Sequence, residues 1–506
     1  MFANDELKAL MAPFWGERDE AASYVAGEFL AGEGEPVEVA DPATGKPAMR
    51  FRDAGASVAA RAAAAAHEAW PHWWAMTHAA RGRIMQKAAR AIEAEADTLA
   101  RIEAIAAGKP IRDTRVEVAK VVEMFEYYAG WCDKLHGDVI PVPTSHLNYT
   151  RHEPFGAVLQ VTPWNAPVFT AGWQIAPAIA AGNAVVLKPS ELTPLTSIAL
   201  GVLVERAGTP TGLVNVLAGF GHTTGQAALE APEIAKVVFV GSPATGAKIA
   251  ATAAARVIPS VLELGGKSAN IVFADADLGR AAVGAQAAIF AAAGQSCVAG
   301  SRLLVQESVY DRFVEAVAQA AARIRVGAPL DEETQVGPIN NARQFGHVRE
   351  MIAGALDEGG AYALDGFDPY PGDEGYFVRP TVLKGHNAMA AAREEIFGPV
   401  VMAIPFKDEE EAVAIANDTR FGLAGAVWTS DVARAHRVAA AVRAGTIWIN
   451  SYKTIHVSSP FGGYGLSGYG RSSGLDALRE YTQTKSVWVE TAADPAIAFG
   501  YAPSLD

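Results

Sequence analysis

Two short phrases carry residues able to do covalent chemistry. Ala293-Gly294-Gln295-Ser296-Cys297-Val298-Ala299-Gly300-Ser301-Arg302 sets one cysteine among small and glycine residues, directly after an alanine-rich segment. Upstream, Leu262-Glu263-Leu264-Gly265-Gly266-Lys267 places one carboxylate at a turn between apolar residues. A thiol that attacks and a partly desolvated carboxylate that takes a proton make a pair suited to covalent catalysis. Each phrase alone is weak evidence, because free cysteine is among the most buried residue types. The rest of the chain decides.

A chain of 506 residues is too long for one simple core and implies at least two domains. Hydrophobic residues make up 50% and charged residues 19%, a composition that cores a soluble globular protein. The net charge of −14 argues against nucleic acid and anionic membrane as partners. Cys132 and Cys297 are the two cysteines, too few for a disulfide framework and consistent with a reducing compartment. No Cys/His cluster has zinc-ligand spacing, so no metal is expected. The N-terminus lacks the basic start and apolar run of a secretory signal. The apolar stretch 171–187 is broken by Gln174, Pro177, Gly182 and Asn183, so it reads as helix, turn and strand. The expected location is the cytoplasm.

The elements that must position the two phrases follow from periodicity. Residues 53–103 are alanine-rich with charges at helical spacing, implying at least two helices. A further helix is expected over 116–134, with Val118, Val121, Val122, Phe125, Ala129 and Cys132 on one apolar stripe, which makes Cys132 a packing residue. Residues 137–154 read as an extended, proline-punctuated hairpin arm. Short apolar strands are then expected at 157–161, 184–187, 214–217 and 237–240, with helices between them. That alternation means a parallel sheet covered on both faces, with ligands at the carboxyl ends of its strands. A second α/β pattern runs from Ser268 to about Phe461, with strands at 270–273 and 446–449. The boundary is expected near Glu263–Ser268, so Glu263 and Cys297 flank a cleft. The tail 486–490 reads as an edge strand in want of a partner.

The dinucleotide fingerprint is absent in its usual form, since the glycines of Gly219-Phe220-Gly221-His222-Thr223-Thr224-Gly225 are one residue off. A better phosphate signal is Phe239-Val240-Gly241-Ser242-Pro243-Ala244-Thr245-Gly246. There a strand ends, Ser242 caps a helix and Pro243 takes its first position, leaving free N–H groups for a pyrophosphate. The alternative is a well-capped helix without a ligand. Lys188 and Glu191, closing a neighbouring strand, suit contacts to a ribose.

Taken together, seven ordered phrases resemble the aldehyde dehydrogenase superfamily over nearly the whole chain. They are Thr162-Pro163-Trp164-Asn165, Lys188-Pro189-Ser190-Glu191, the stretch 241–246, the stretch 262–267, Gly294-Gln295-Ser296-Cys297, Glu394-Glu395-Ile396-Phe397-Gly398-Pro399, and Pro460-Phe461-Gly462-Gly463. The resemblance implies a Rossmann-like parallel-sheet nucleotide domain (1–136 and 155–266), a second α/β catalytic domain (267–466) and a small β oligomerisation arm (137–154 and 480–495). It also implies oxidation of an aldehyde to a carboxylate with NAD(P)+, in a homodimer or homotetramer. In that chemistry the Cys297 thiolate attacks the carbonyl carbon, and the Asn165 amide and the Cys297 N–H donate to the alkoxide. Such donors are worth about 3–4 kcal/mol each. Hydride loss gives a thioester, which water activated by Glu263 hydrolyses. The resemblance assigns Thr162, Pro163, Trp164, Lys188, Ser190, Glu191, Gly221, Gly225, Phe239, Gly241, Ser242, Thr245, Leu264, Gly265, Glu395 and Phe397 to the cofactor. It assigns Ala166, Phe169, Trp173, Ser296, Val298, Tyr452 and Phe461 to the substrate pocket.

Departures from the family pattern bear on detail. Many relatives carry a lysine on the helix after the asparagine turn, paired with a glutamate near the C-terminus; here the positions read Gln174 and Ser472. Losing both members is nearly neutral where losing one would strand a charge, and it leaves Glu263 to act alone. Glu191 favours NAD, since a carboxylate repels a 2′-phosphate, although Lys188 and Ser190 would tolerate NADP. Glu263 argues against the acyl-CoA-forming branch. Ala166, where relatives often have an aromatic, implies a wide mouth, and the aromatic lining suits apolar aldehydes. Lys453 and His456 on the same loop suit a semialdehyde, or are solvated charges. The rival readings are a cofactor-independent thiol esterase and a nucleotide-binding scaffold without catalysis.

Overall fold

The computed structural model describes residues 1–142, 145–372, 374–493 and 499–500. Residues 143–144 and 494–495 of the expected arm lie outside them. The predicted α/β fold is present. Short Val/Ile/Leu runs become strands buried on both faces, as parallel strands under two helical layers must be. An eight-stranded sheet runs in the order Gly468–Tyr469, Ser260–Glu263, Ile234–Val240, Ala157–Val161, Ala184–Lys188, Val214–Val216, Ser23–Val25, Glu28–Leu30. Its central five strands are parallel, and the three outer ones add antiparallel. Chain order moves outward from Ala157–Val161 on one side, then returns to place Ile234–Val240 on the other. The carboxyl ends of those two strands are therefore the switch point where open α/β sheets bind ligands.

A second, seven-stranded sheet runs Ala361–Tyr362, Thr381–Lys384, Val400–Phe406, Arg302–Gln306, Ala269–Val272, Ala424–Trp428, Thr446–Ile449, parallel except for its first strand. The chain passes between the two sheets within residues 264–268, so Glu263 closes a strand of one and Ala269 opens the other. Each sheet has its own buried apolar cluster. A three-stranded sheet joins Val139–Ile140, His146–Pro154 and Thr482–Glu490; the tail strand is longer than the expected 486–490 and pairs along its whole length, from Thr482 with Pro154 to Glu490 with His146.

The helices differ from expectation in count and ends. Residues 53–103 give three, Gly55–Trp74, His78–Ala94 and Ala96–Ala107. The helix expected over 116–134 is Ile111–Ala129: it starts directly after Pro110, and Gly130 follows its last turn. Cys132 therefore sits in the turn beyond the helix, buried, with its sulfur 3.6 Å from Met85 Sδ. Among the described residues no helix is long and apolar enough to cross a membrane.

Arg302 welds the second sheet to its neighbours. It is 1% exposed, and its guanidinium donates to the carbonyls of Lys267 (3.0 Å), Ile415 (2.7 Å) and Ala416 (2.8 Å). Replacing it strands three carbonyls in a dry place. Arg302→Met is expected to cost about 2–4 kcal/mol through the lost hydrogen bonds, read as a lowered thermal denaturation midpoint.

Candidate active site

The loop that carries Cys297 departs from the helix that precedes it. Helix Leu278–Phe290 ends, and Ala292, Ala293 and Gly294 take left-handed backbone at φ 55, 54 and 70°. Only glycine does this without cost. A methyl group on Gly294 would meet the Gly398 carbonyl oxygen at 1.9 Å, so this turn brings the cysteine loop against the Glu395–Pro399 phrase. Gln295 then locks the loop, its Oε1 accepting from the Asn340 N–H at 2.8 Å. Four non-glycine residues with positive φ face the same cavity: Ala292, Phe397, Lys453 and Ser473. Strained backbone gathers at functional sites, where packing overrides its cost.

That cavity holds about 630 Å³ and gathers residues from both sheets. From the carboxyl ends of the first sheet come Pro163, Trp164, Asn165, Gly241, Ser242, Glu263, Leu264 and Gly265. From the cysteine loop come Ser296, Cys297 and Val298, and from the loop before strand Val400–Phe406 come Glu395 and Phe397. Ala166, Phe169, Trp173 and Phe461 complete the predicted set inside it. The aromatic wall is continuous, with ring centroids of Phe169–Trp173 at 4.8 Å, Trp173–Phe461 at 5.2 Å and Trp164–Phe397 at 5.4 Å. The Asn165 side-chain amide donates to the Gln295 carbonyl at 2.9 Å, which fixes its orientation and leaves its second N–H free.

Burial governs the electrostatics. It pushes the Cys297 thiol up to about 12, and the nearby Glu395 and Glu263 carboxylates push the same way, against the N–H groups of Val298 and Cys297. Burial pushes Glu263 up to about 8; Ser472 and Arg471 pull down without offsetting it. Neither oxygen of the Glu263 carboxylate has a partner in hydrogen-bonding geometry. Glu395 is pushed up to about 7 by burial, although it accepts the Gly266 N–H at 3.0 Å. A buried, unpaired acid with a raised pKa in a cleft is a candidate for proton exchange.

Apart from Ser242, which lines this cavity, the remaining predicted cofactor residues lie outside it. Lys188 is buried with its Nζ 3.4 Å from Glu191 Oε2, and its stem lies beside Gly225. Gly221–Gly225 form a wide helical turn under which Asp53 accepts from the Phe220 N–H and from the Thr223 and Thr224 hydroxyls. Ser190 caps its own turn, accepting from the Leu192 N–H at 3.3 Å. Phe239 packs with Leu262 and Leu264, and its ring lies 2.5 Å from where a Cβ on Gly241 would sit. Ser242 caps helix Pro243–Ala255, accepting from the Thr245 N–H at 3.4 Å. The Thr162 hydroxyl is buried and unpartnered. A capped helix N-terminus, a buried ammonium and an unpartnered hydroxyl fit a dinucleotide.

Tyr452, expected in the substrate pocket, is instead buried beside the Cys297 loop, where its hydroxyl donates to the Val298 carbonyl at 3.1 Å. The residue before Lys453 thus anchors the loop and the lysine takes the cavity side. His456 is turned to Glu123 at 3.0 Å. Gln174 joins a buried neutral chain: the Tyr481 hydroxyl donates to its Oε1 at 2.7 Å, and Gln160 Nε2 donates to its carbonyl at 2.7 Å. Residues missed by sequence reasoning include Lys109, which donates to the Asn165 carbonyl at 3.1 Å. Gln344 and His347 also escaped notice. Gln344 donates to the carbonyls of Ile396 (2.9 Å) and Phe397 (3.1 Å), and His347 lies 3.2 Å from that of Glu395. Their three-residue spacing on helix Ala342–Asp357 was the one available signal.

The profile of the aldehyde dehydrogenase family matches residues 29–487. The chain is 43% identical to an aldehyde dehydrogenase of Aspergillus niger, over 92% of this chain and 94% of that one. It is 41% identical to human retinal dehydrogenase 2, over 90% and 89% of the two chains. Its structure is similar to the NAD+ complex of aldehyde dehydrogenase from Bacillus cereus, with a TM-score of 0.91 and 40% identity, over 94% and 97% of the two chains. With fold, cavity and sequence in agreement over most of its length, the chain belongs to the aldehyde dehydrogenase family, the NAD(P)-dependent enzymes that oxidise aldehydes.

Proposed function

We propose that Cys297 is the nucleophile, Asn165 with the Cys297 N–H the oxyanion donors, and Glu263 the base of this aldehyde oxidation. The observation that carries this reading is that all three line one cavity, with the Glu263 carboxylate buried and unpartnered beside a protonated thiol. NAD(P)+, when bound, supplies the hydride acceptor. The residues that would hold it are the Ser242 helix terminus, Lys188 and Glu191 at neighbouring strand ends, and Glu395 with Phe397 near the reacting carbon; Glu191 favours NAD.

The chain's own residues do the acid–base work. Glu263 takes the thiol proton, and the Cys297 sulfur bonds to the carbonyl carbon. The oxygen that becomes negative receives the free N–H of Asn165, whose other N–H is held by Gln295. Glu263 passes the thiol proton to solvent before hydrolysis. After oxidation a water attacks the thioester carbon and gives its proton to Glu263. The C–S bond breaks to release the carboxylic acid and the Cys297 thiolate, which the Glu263 proton returns to the thiol. Gln174 and Ser472, which line the same wall, have no titratable group to share that task.

Residues 1–136 and 155–266 then form the nucleotide domain, 267–466 the catalytic domain, and 137–154 with 480–495 an arm for assembly into a homodimer or homotetramer. Support for the arm is the exposed apolar side chains on both its faces, Val139, Leu147 and Val489 on one and Ile140 and Trp488 on the other. The two free cysteines suit the cytoplasm.

NADH formation at 340 nm against a panel of aldehydes tests the reading, and Cys297→Ala is expected to abolish it. Asn165→Ala is expected to lower kcat about 10²–10³-fold through the lost oxyanion donor, with thiol alkylation by iodoacetamide retained. The thioester hydrolysis step, read by single-turnover decay, is expected to be slow where Glu263 is protonated and to rise with pH through about 8, where the carboxylate forms. Glu263→Gln should flatten that rise and slow the step about 10²–10⁴-fold by removing the general base; a persisting rise near pH 8 would assign the base to another group.

A further inference from the structure

One side of the cavity is formed by helix Ile111–Ala129 and the loop that leaves strand Thr446–Ile449, and it is dense in charge. Nearly all of that charge is internally matched. Lys109 pairs with Glu117, Lys120 with Glu123, and Asp113 lies 3.3 Å from Arg112; His456 also faces Glu123. Lys453 is left over. Its ammonium lines the cavity with no hydrogen-bond or ion-pair partner among the described residues. Burial lowers it to about 8; Lys109 adds to that, and Cys297 and Asp113 oppose it.

This lysine is not a side chain on a loose surface loop. On one side the Tyr452 hydroxyl donates to the Val298 carbonyl at 3.1 Å, tying the loop to the residue after the nucleophile. On the other, Trp448 Nε1 donates to the Thr454 carbonyl at 2.9 Å, and the Ser451 and Thr454 hydroxyls meet at 2.9 Å. Lys453 itself is held at φ 57°. The backbone carrying the cation is therefore fixed relative to the backbone carrying the sulfur. Apolar side chains line the same cavity between these charges: Met124, Phe169, Trp173, Ile455, Val457 and Phe461.

We propose that Lys453 receives the carboxylate of an aldehyde acid, so that the preferred substrate is a semialdehyde whose two ends are separated by an apolar spacer. The inference rests on the dehydrogenase reading above and names the substrate class for it. An unmatched, partly desolvated cation gains an acceptor only when such a substrate enters. A carboxylate suits the site better than a phosphate, because the lining offers one unmatched ammonium, its other two lysines being paired with Glu117 and Glu123, and no arginine fork.

The test compares kcat/KM for ω-oxo-carboxylates of increasing length with neutral alkanals of the same length, in the wild type and in Lys453→Met and Lys453→Glu. At the best length the wild type is expected to prefer the acid by about 10–100-fold, the worth of a hydrogen bond to a charged group. That acid-to-neutral ratio is expected to collapse in Lys453→Met and to fall further in Lys453→Glu. A ratio near one in the wild type at every length would overturn the proposal without recourse to a variant, as would a ratio unchanged in Lys453→Met. Stronger turnover of a phosphorylated aldehyde than of the matched carboxylate would overturn the carboxylate assignment. Failure of all aldehydes to yield reduced cofactor, with NAD+ or NADP+, would overturn the dehydrogenase reading and this proposal with it; turnover of neutral aldehydes alone would overturn only this proposal.

Discussion

Three acidic groups, Cys297, Glu263 and Glu395, share one poorly hydrated volume, and that crowding is the constraint on which the rest depends. Each charge that forms there makes the next harder to form. At rest the thiol therefore keeps its proton, which protects it from adventitious chemistry, and ionisation is possible only where a proton has a nearby place to go. On the proposed reading Glu263 is that place, since neither carboxylate oxygen has a partner in hydrogen-bonding geometry. Had Ser472 or a nearby amide bonded its carboxylate closely, the acid would be stabilised as an anion and would be too weak a base for the work.

Holding such groups close without pairing them requires that position come from the backbone. Glu263 is held as the last residue of a buried parallel strand, and Asn165 by the turn after a second one. Cys297 is held by a left-handed turn that glycine–backbone contact forces, since Gly294 is pressed against Gly398. None of the three needs a salt bridge to stay in place. The wall behind them follows the same logic. Gln160, Gln174 and Tyr481 satisfy one another as neutral groups, so this wall adds no cation to the pull that Arg471 already exerts on Glu263. A charged pair at Gln174 and Ser472 would carry its own desolvation cost and would add a second proton acceptor to a site that already has one.

The sequence made the strands legible because parallel strands under two helical layers are unbroken apolar runs, and 157–161 and 446–449 have the bounds their patterns imply. The catalytic phrases were legible as an ordered set, although no single one was specific. The nucleophile turn was not. Ala291-Ala292-Ala293-Gly294 is as good a helix sequence as any in the chain, and local propensity says the helix continues. It stops because a contact more than 100 residues away in sequence leaves no room. Lys109, Gln344 and His347 were illegible for a related reason: each acts on a backbone carbonyl of another segment, and such a contact leaves no pattern in the donor's own neighbourhood. Tyr452 was assigned to the pocket from its place in a phrase, but the pocket side of that loop is decided by a left-handed residue, Lys453, which sequence does not mark.

That loop joins two properties that are usually discussed separately. Tyr452 fixes the carbonyl of the residue after the nucleophile, and the next residue presents a cation to the cavity. If Lys453 receives the substrate as proposed, its selection and the placement of the sulfur rest on one short piece of backbone. A change that moves Tyr452 also moves Lys453, so a substrate that fits the cation poorly strains the same segment that aims the thiol. Binding energy at the far end of a substrate can in this way be felt at the reacting carbon, as differential stabilisation of the attack geometry rather than as uniform affinity. The wide mouth left by Ala166 fits this division of labour. With no aromatic at that position to grip the substrate near the carbonyl, the proposed discrimination falls to the aromatic lining and the Lys453 charge.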